Sequence, residues 1–148
     1  MENKPQKIAI ASDHAGYALK ESLKSFLKEK GIETFDFGTH SEESVDYPDY
    51  VHPLAEALGR NEYPLGIVIC GSGNGVNITA NKHEHIRSAL CWLPELASLA
   101  RQHNDANVLA MPGRFIDEAT GREITEAFLT ATFEGGRHQK RVEKIACT

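Results

Sequence analysis

The sequence predicts a three-layer α/β/α sandwich, in which helices cover both faces of a doubly wound, Rossmann-like parallel sheet of about five strands. Short apolar runs typical of buried strands alternate with segments of helical period, as in repeated βα units. The length of 148 residues suits one domain. No internal repeat, linker or low-complexity stretch interrupts the pattern. We therefore expect a single domain over residues 1–148.

The first two strand–helix units are predicted from apolar periodicity. The strands are expected at Lys7–Ser12 and Ile32–Phe37. After each strand, apolar residues recur at the spacing of one helix face, and Gly31 and Gly59 are expected to end the two helices. The apolar positions are Leu19, Leu23, Phe26 and Leu27 in the first helix and Val51, Leu54, Ala55 and Leu58 in the second.

Three further strands are predicted in the second half. Pro64–Cys70 is the most continuous apolar run, as expected for a central strand that is covered on both faces. Ile86–Cys91 and Asn107–Met111 read as strands four and five. Helices are predicted after the third strand, at about Pro94–His103, around Ile124, Phe128 and Leu129, and at about 136–146, where the last helix is expected to contribute to contacts between copies.

Composition and charge argue against several partners. The chain has 16 basic and 21 acidic residues, a formal charge of −5, which is the reverse of what a nucleic-acid binder needs. Its apolar runs are far shorter than the ~18 residues of a membrane span, and the polar N-terminus predicts no secretory or transit peptide. Cys70, Cys91 and Cys147 are an odd number without CxxC spacing, which argues against a disulfide framework and a structural zinc site. We expect a cytoplasmic protein.

A glycine-rich turn, Cys70–Gly75 (CGSGNG), follows the third strand and opens a helix. It lacks the GxxxxGK[ST] spacing of a P-loop, the GxGxxG of a dinucleotide fingerprint and the arginine of a C-x5-R phosphatase loop. Such a turn can direct backbone N–H groups at an anion, and the alternative is a tight turn without a ligand. Cys70 is either a core cysteine or, beside a helix N-terminus that favours thiolate, a base.

Other polar residues are expected to join this turn, because ligands bind beyond the carboxyl ends of parallel strands. Asp13 follows the first strand and is either a helix N-cap or a catalytic group, and His14 is either a solvated residue or a ligand. The segment Arg101–Asp105, before strand five, is taken as part of the same region.

Two further patterns have competing interpretations. Arg137 and Arg141 are four apart, on one helix face, and form either a phosphate fork or a solvated basic end. His83 and His85 flank Glu84 in a predicted loop, but no carboxylate or cysteine cluster completes a metal site there. We expect no metal.

Six segments resemble the family of ribose-5-phosphate isomerase B and the galactose-6-phosphate isomerase subunits. The resemblance extends from Ile8 to about Ile145. The segments are SDHAG at 12–16, DYPDY at 46–50, ICGSGNG at 69–75, ANK at 80–82, ARQHNDANVLA at 100–110 and EGGRHQKRV at 134–142.

The resemblance implies an aldose–ketose isomerase that interconverts ribose 5-phosphate and ribulose 5-phosphate through an enediolate, with no cofactor, metal or nucleotide. Members of the family are dimers or tetramers with the active site at a subunit interface, so a homodimer or homotetramer is implied here. The alternative substrate is a hexose 6-phosphate such as allose or galactose 6-phosphate. A non-catalytic sugar-phosphate sensor would have no use for Cys70 or His103.

The resemblance also implies roles for single residues. Cys70 matches the base that moves the proton between two carbons, and some members instead carry a glutamate at the position of Gly75. Ser72 lies where the family has a residue beside the enediolate, and His103, with Asp13 nearby, matches the group that opens the sugar ring. The implied binding residues are Tyr47 and Asn104 for the sugar, the backbone of Gly71, Gly73, Asn74 and Gly75 for the oxyanion, and His14, Arg114, Arg137 and Arg141 for the phosphate.

Overall fold

Five parallel strands form one sheet in the order β2-β1-β3-β5-β4. The computed structural model describes residues 4–147. The strands are β1 Lys7–Ser12, β2 Glu33–Asp36, β3 Gly66–Cys70, β4 Ser88–Leu90 and β5 Val108–Pro112. The chain changes direction across the sheet between β1 and β3, and parallel sheets bind ligands beyond the carboxyl ends at such a point.

Helices cover both faces of the sheet, as predicted. One face packs against α1, α4 and α5, and the other packs against α2 and α3. The helices are α1 Tyr17–Glu29, α2 Pro48–Gly59, α3 Asn74–Ala80, α4 Pro94–Asn104, α5 Glu118–Thr130 and α6 Arg137–Glu143. Within residues 4–147, no helix has both the length and the hydropathy that crossing a bilayer requires.

Side chains of the central strand β3 alternate between two apolar cores. Ile67 and Ile69 pack on the side of α1, α4 and α5, whereas Val68 and Cys70 pack on the side of α2 and α3. All five residues of the strand are buried. A strand covered on both faces needs a continuous apolar sequence, which is why this strand was the clearest in the sequence.

Most element ends lie within a residue or two of the sequence prediction, and the largest differences are in β4 and the last helix. β4 has three residues instead of the predicted six, because it is an edge strand that pairs with β5 alone. Gly59 is the last residue of α2, and the left-handed conformation after the helix is adopted by Asn61, with φ of 62°. Asparagine tolerates this conformation better than most residues. The last helix covers 137–143 and is shorter than the predicted 136–146.

An ion pair links α1 to β2 inside the fold. The Lys20 side chain is fully buried, and its Nζ lies 2.6 Å from Asp36 Oδ2. Lys24 Nζ donates a second hydrogen bond of 2.8 Å to the same oxygen. Burial by itself would raise the pKa of Asp36, but the hydrogen bonds from the two lysines outweigh burial and lower this pKa.

We expect Asp36→Asn to lower the free energy of unfolding by about 3 kcal/mol, because the variant leaves the buried ammonium of Lys20 with only the more exposed Glu21 carboxylate, at 3.2 Å, as a charged partner. Urea denaturation at neutral pH measures this free energy. Glu62→Gln is the matched control, since it removes a carboxylate from the exposed pair of Arg60 and Glu62, and surface pairs contribute little. Equal losses of unfolding free energy in the two variants would show that the buried pair stabilises the fold no more than the exposed pair does.

The contribution of Asp36 to the free energy of unfolding should also depend on pH. Its pKa is lower in the folded chain than the ordinary value of about 3.9, so the pair stabilises the fold fully above about pH 4. As the pH falls further, the carboxylate is protonated and this stabilisation is lost. The stability difference between the wild type and Asp36→Asn should therefore shrink in acid, and a difference that stays constant down to about pH 2 would count against the pair.

Candidate active site

Polar residues of four loops, which follow β1, β2, β3 and β5, meet at the carboxyl edge of the sheet, where the strands end. We call this set the carboxyl-edge cluster: Asp13, His14, Tyr47, Cys70–Gly75 and Arg114. Cys70 is the buried last residue of β3. The N–H group of Gly113 donates to the Cys70 carbonyl at 2.8 Å, and that of Arg114 donates to the Gly71 carbonyl at 3.0 Å. The loop after β5 is therefore tied to the glycine turn.

The glycine turn owes its shape to close packing. Gly73 has φ of 78°, a left-handed conformation that favours glycine, and it directly precedes α3. A Cβ atom on Gly75 would lie 2.5 Å from the ring of Tyr47, so a side chain at position 75 would displace that ring. The Ser72 hydroxyl accepts a hydrogen bond of 3.2 Å from the N–H group of Asn74. The exposed Arg114 side chain lies against Gly71, within 3.2 Å of where a Cβ atom would be.

Asp13 and His14 have distinct contacts at this edge. One carboxylate oxygen of Asp13 accepts hydrogen bonds of 2.9 and 3.1 Å from the N–H groups of Ala15 and Gly16, so the predicted N-cap is confirmed. His14 Nδ1 accepts a hydrogen bond of 3.1 Å from the N–H group of Val45. The neutral imidazole then carries its proton on Nε2, which makes that nitrogen a donor suited to an anion.

A second set of polar residues lies at the opposite edge of the sheet, where the strands begin. We call it the amino-edge cluster: His103, Asn104, Glu134, Arg137, His138 and Arg141. His103 and Asn104 end α4, which leads directly into the start of β5, and α6 packs against α4. The rings of His103 and His138 stack at 4.2 Å with an interplanar angle of 12°. Glu134 Oε1 lies 3.5 Å from His138 Nε2 and 3.9 Å from His103 Nε2.

The expectation that all candidate residues share one edge is wrong for a single chain. The segment Arg101–Asp105 precedes a strand, whereas Asp13 and Cys70 follow strands. In a parallel sheet these two kinds of loop lie at opposite edges, which a five-residue strand separates by about 15 Å. His103 therefore does not lie beside Asp13 of the same chain. For the same reason, His14 and Arg114 cannot bind the same phosphate as Arg137 and Arg141 of the same chain.

Sequence reasoning also missed Glu134 and His138 as partners of His103. Among residues 4–147, these form the one group of three or more potential metal ligands whose donor atoms all lie within 4.8 Å of one another. Imidazole and carboxylate are zinc ligands, and the buried Nε2 of His138 has no hydrogen-bond partner in the described part of the chain. However, burial together with the positive charges of His103 and Arg137 lowers the pKa of His138. Burial and these positive charges oppose a further positive charge on the ring, although the Glu134 carboxylate acts in the opposite direction.

Comparisons with known proteins agree with this fold. The model of the ribose/galactose isomerase family matches residues 8–145. Ribose-5-phosphate isomerase B of Escherichia coli is 46% identical over 140 residues, which cover 95% of this chain and 94% of that protein. A crystal structure of a ribose 5-phosphate isomerase from Thermotoga maritima is similar with a TM-score of 0.94 and 51% identity, covering 96% of this chain and 98% of that one.

A third relative was solved with a ligand. The ribose-5-phosphate isomerase B of Mycoplasma genitalium, with bound ribulose 5-phosphate, has a TM-score of 0.90 and 42% identity, over 94% of this chain and 93% of that one. The strand order and these similarities define a doubly wound α/β protein. Since the family match spans nearly all of the sequence, the chain belongs to the ribose/galactose isomerase family.

Chemical modification can test whether the Cys91 thiol is buried and unreactive. Burial raises the pKa of the Cys91 thiol to about 12, and its Sγ points to the Ala89 carbonyl at 3.7 Å. Iodoacetamide reacts with thiolates, so it should leave Cys91 unmodified in the folded protein at neutral pH. The exposed Cys147 should react readily and is the internal control. Peptide mass spectrometry measures both, and rapid modification of Cys91 without unfolding would contradict its inert role.

Proposed function

We propose that this chain is an aldose–ketose isomerase that interconverts ribose 5-phosphate and ribulose 5-phosphate. One observation carries the proposal: Cys70 ends the central strand beside a turn of glycine amides, in a chain that matches the ribose/galactose isomerase family from residue 8 to 145. Relatives named for this activity align with nearly the whole chain. The reaction moves one proton between adjacent carbons, and it needs a base beside a group that stabilises an oxyanion.

Cys70 is the proposed base, and the glycine turn is the proposed oxyanion site. Thiolate removes a proton from the carbon next to the carbonyl and returns it to the former carbonyl carbon, while a second proton moves from the hydroxyl oxygen of the first carbon to the former carbonyl oxygen, so no net proton is consumed. The charge that develops on oxygen is stabilised by backbone N–H groups of Gly71–Gly75, and each well-aimed donor can contribute about 2.7 to 4 kcal/mol. Ser72 lies within the same turn, beside the proposed enediolate. The packing of Tyr47 on Gly75 favours Cys70 over a base at position 75.

Further groups would have to come from a second copy of the chain. We infer a homodimer, alone or within a homotetramer, in which the amino-edge cluster of one copy completes the carboxyl-edge cluster of the other. Exposed apolar side chains support an interface near the site. Trp92, Leu93 and Phe115 are 51%, 51% and 76% exposed, and they line a groove together with Ser72 and Asn74. Exposed apolar groups of this size are typical of surfaces that contact another protein.

The completed site would hold both ends of the sugar phosphate. His14 and Arg114 of one copy and Arg137 and Arg141 of the other are the proposed phosphate ligands, while Tyr47 and Asn104 contact the sugar. His103 is proposed to move the proton that opens the ring, because its imidazole is half-exposed at the amino edge beside the Glu134 carboxylate. Phosphate binding far from the reacting carbons orients the open chain toward the base.

The activity is tested by incubating the pure protein with ribose 5-phosphate and, separately, with allose 6-phosphate. Ketose formation measures turnover in each case. We expect kcat/KM to be much higher with ribose 5-phosphate. Turnover of the hexose phosphate alone would replace the proposed substrate while leaving the isomerase class intact.

Cys70→Ala should lower kcat at least ~100-fold with little change in KM, because it removes proton transfer but leaves phosphate binding intact. Steady-state kinetics with ribose 5-phosphate measure both constants. Cys147→Ala, at an exposed cysteine, is the control and should behave as the wild type. Near-normal kcat in Cys70→Ala would exclude Cys70 as the base.

Arg137→Ala should lower kcat/KM for ribose 5-phosphate roughly 30-fold, since it removes a charge-assisted hydrogen bond to phosphate. This change corresponds to a loss of about 2 kcal/mol of transition-state stabilisation. Arg137→Lys should recover only part of the loss, because an ammonium cannot form the bidentate contact. Arg60→Ala, at another exposed arginine, is the control. Equal kinetics for Arg137→Ala and Arg60→Ala would make Arg137 a solvated surface residue.

Mixing two inactive variants tests the shared site directly. Cys70→Ala and His103→Asn chains should each be nearly inactive. In a heterodimer of the two, one site combines the intact Cys70 of one chain with the intact His103 of the other. Equal coexpression should therefore restore about a quarter of the wild-type activity, since half of the dimers are mixed and each has one intact site. If activity stays at the level of the separate variants, each site is built within a single chain.

A further inference from the structure

Two histidines outside the proposed active site form a close pair on the surface. His52 is an exposed residue of α2, and His83 lies in the turn that connects α3 to β4. His52 Nδ1 and His83 Nε2 are 2.7 Å apart, and the two rings are tilted by 55° with their centres 4.9 Å apart. The proposed isomerase reaction uses neither residue.

Both imidazoles are held on rigid backbone. His52 belongs to a helix of 12 residues. The turn that carries His83 is closed by hydrogen bonds of 3.1 Å from the His83 N–H group to the Ala80 carbonyl and from the Ile86 N–H group to the His83 carbonyl. The Asn81 side chain bridges the base of this turn through bonds of 2.8 and 3.0 Å to the backbone of Ser88. The two rings are thus brought together without a flexible segment.

We propose that His52 and His83 form a binding site for one divalent transition-metal ion that prefers imidazole ligands, such as Ni²⁺, Cu²⁺ or Zn²⁺. Facing ring nitrogens are the ligands that these ions select. In the metal-free pair, the N–H group of one ring donates a hydrogen bond to the facing nitrogen of the other ring. Metal binding requires only that the donor ring shift its proton to its second nitrogen, so that both lone pairs face the ion. With metal–nitrogen bonds of about 2.0 to 2.1 Å, the nitrogens need to separate by only about half an ångström, and water completes the coordination.

The charge around the pair suits a cation. Glu56 lies one turn beyond His52 on the same side of α2, and its negative charge acts on His83. The amino-edge cluster also contains a carboxylate, that of Glu134, but Arg137 and Arg141 add positive charge that acts on His138. Of the two histidine groups, the pair of His52 and His83 is therefore the better cation site.

His85, which belongs to the same turn, is not part of the proposed site. Its ring lies 4.0 Å from where a Cβ atom on Gly59 would be. Gly59 is seven residues beyond His52 along α2, which corresponds to about 10 Å of helix. The pattern His83-Glu84-His85 therefore contributes one ligand, and the second comes from a helix that is distant in the sequence.

Isothermal titration of the full-length protein with NiCl₂, in a buffer that does not chelate metals, tests the proposal. We expect one ion per chain, with binding at least about tenfold weaker in both His52→Ala and His83→Ala. His85→Ala is the matched control from the same turn and should bind as the wild type. His138→Asn tests the amino-edge cluster and should also bind as the wild type. Heat of binding is independent of isomerase activity, so failure of the proposed function would not affect this result.

Thermal unfolding provides a second measurement. NiCl₂ should raise the Tm of the wild type and of His85→Ala, because an ion that binds the folded chain stabilises it. The Tm of His52→Ala and His83→Ala should not rise, and without metal these surface variants should unfold near the wild-type Tm. Unchanged Ni²⁺ affinity in His52→Ala and His83→Ala would overturn the proposal. Loss of binding in His138→Asn alone, or no binding to the wild type at millimolar NiCl₂, would also overturn it.

Discussion

The common direction of the five strands is the constraint on which the site depends. In a parallel sheet, every crossover helix returns the chain from the carboxyl edge to the amino edge. Loops that follow strands and loops that precede strands therefore lie at opposite edges, whatever residues they contain. Cys70 belongs to the first kind and His103 to the second. One chain cannot bring both groups to the same small ligand, and this separation is the physical reason why a second copy belongs to the proposed function.

Close packing against glycines shapes the carboxyl-edge cluster. Tyr47 occupies the space that a side chain on Gly75 would need, and Arg114 lies against Gly71. Backbone hydrogen bonds from the loop after β5 hold the start of the turn. The amide groups are thus fixed before a ligand arrives, and fixed donors stabilise a developing oxyanion without the cost of reorganisation.

Charged groups on this fold differ in their surroundings, and the surroundings decide what each can bind. Lys20 is buried and neutralised by Asp36, so the pair stabilises the fold and offers nothing to a ligand. The histidines of the amino-edge cluster lie in the positive field of Arg137 and Arg141, which favours phosphate. The charges that act on His83 are those of His52 and Glu56, with no arginine among them, and there we propose a metal ion. The same imidazole chemistry can therefore serve opposite charges on one small domain.

The sequence by itself determined the sandwich, the five strands, the Asp13 cap and the glycine turn, because each follows from hydrophobic period or turn chemistry within a few residues. The length of β4 was overestimated, since local pattern does not reveal that an edge strand has one partner. Only the tertiary structure decided that Asp13 and His103 lie at opposite edges, and that His83 meets His52. Those relations depend on the direction in which helices cross the sheet and on contacts between residues 31 apart, which no local pattern encodes.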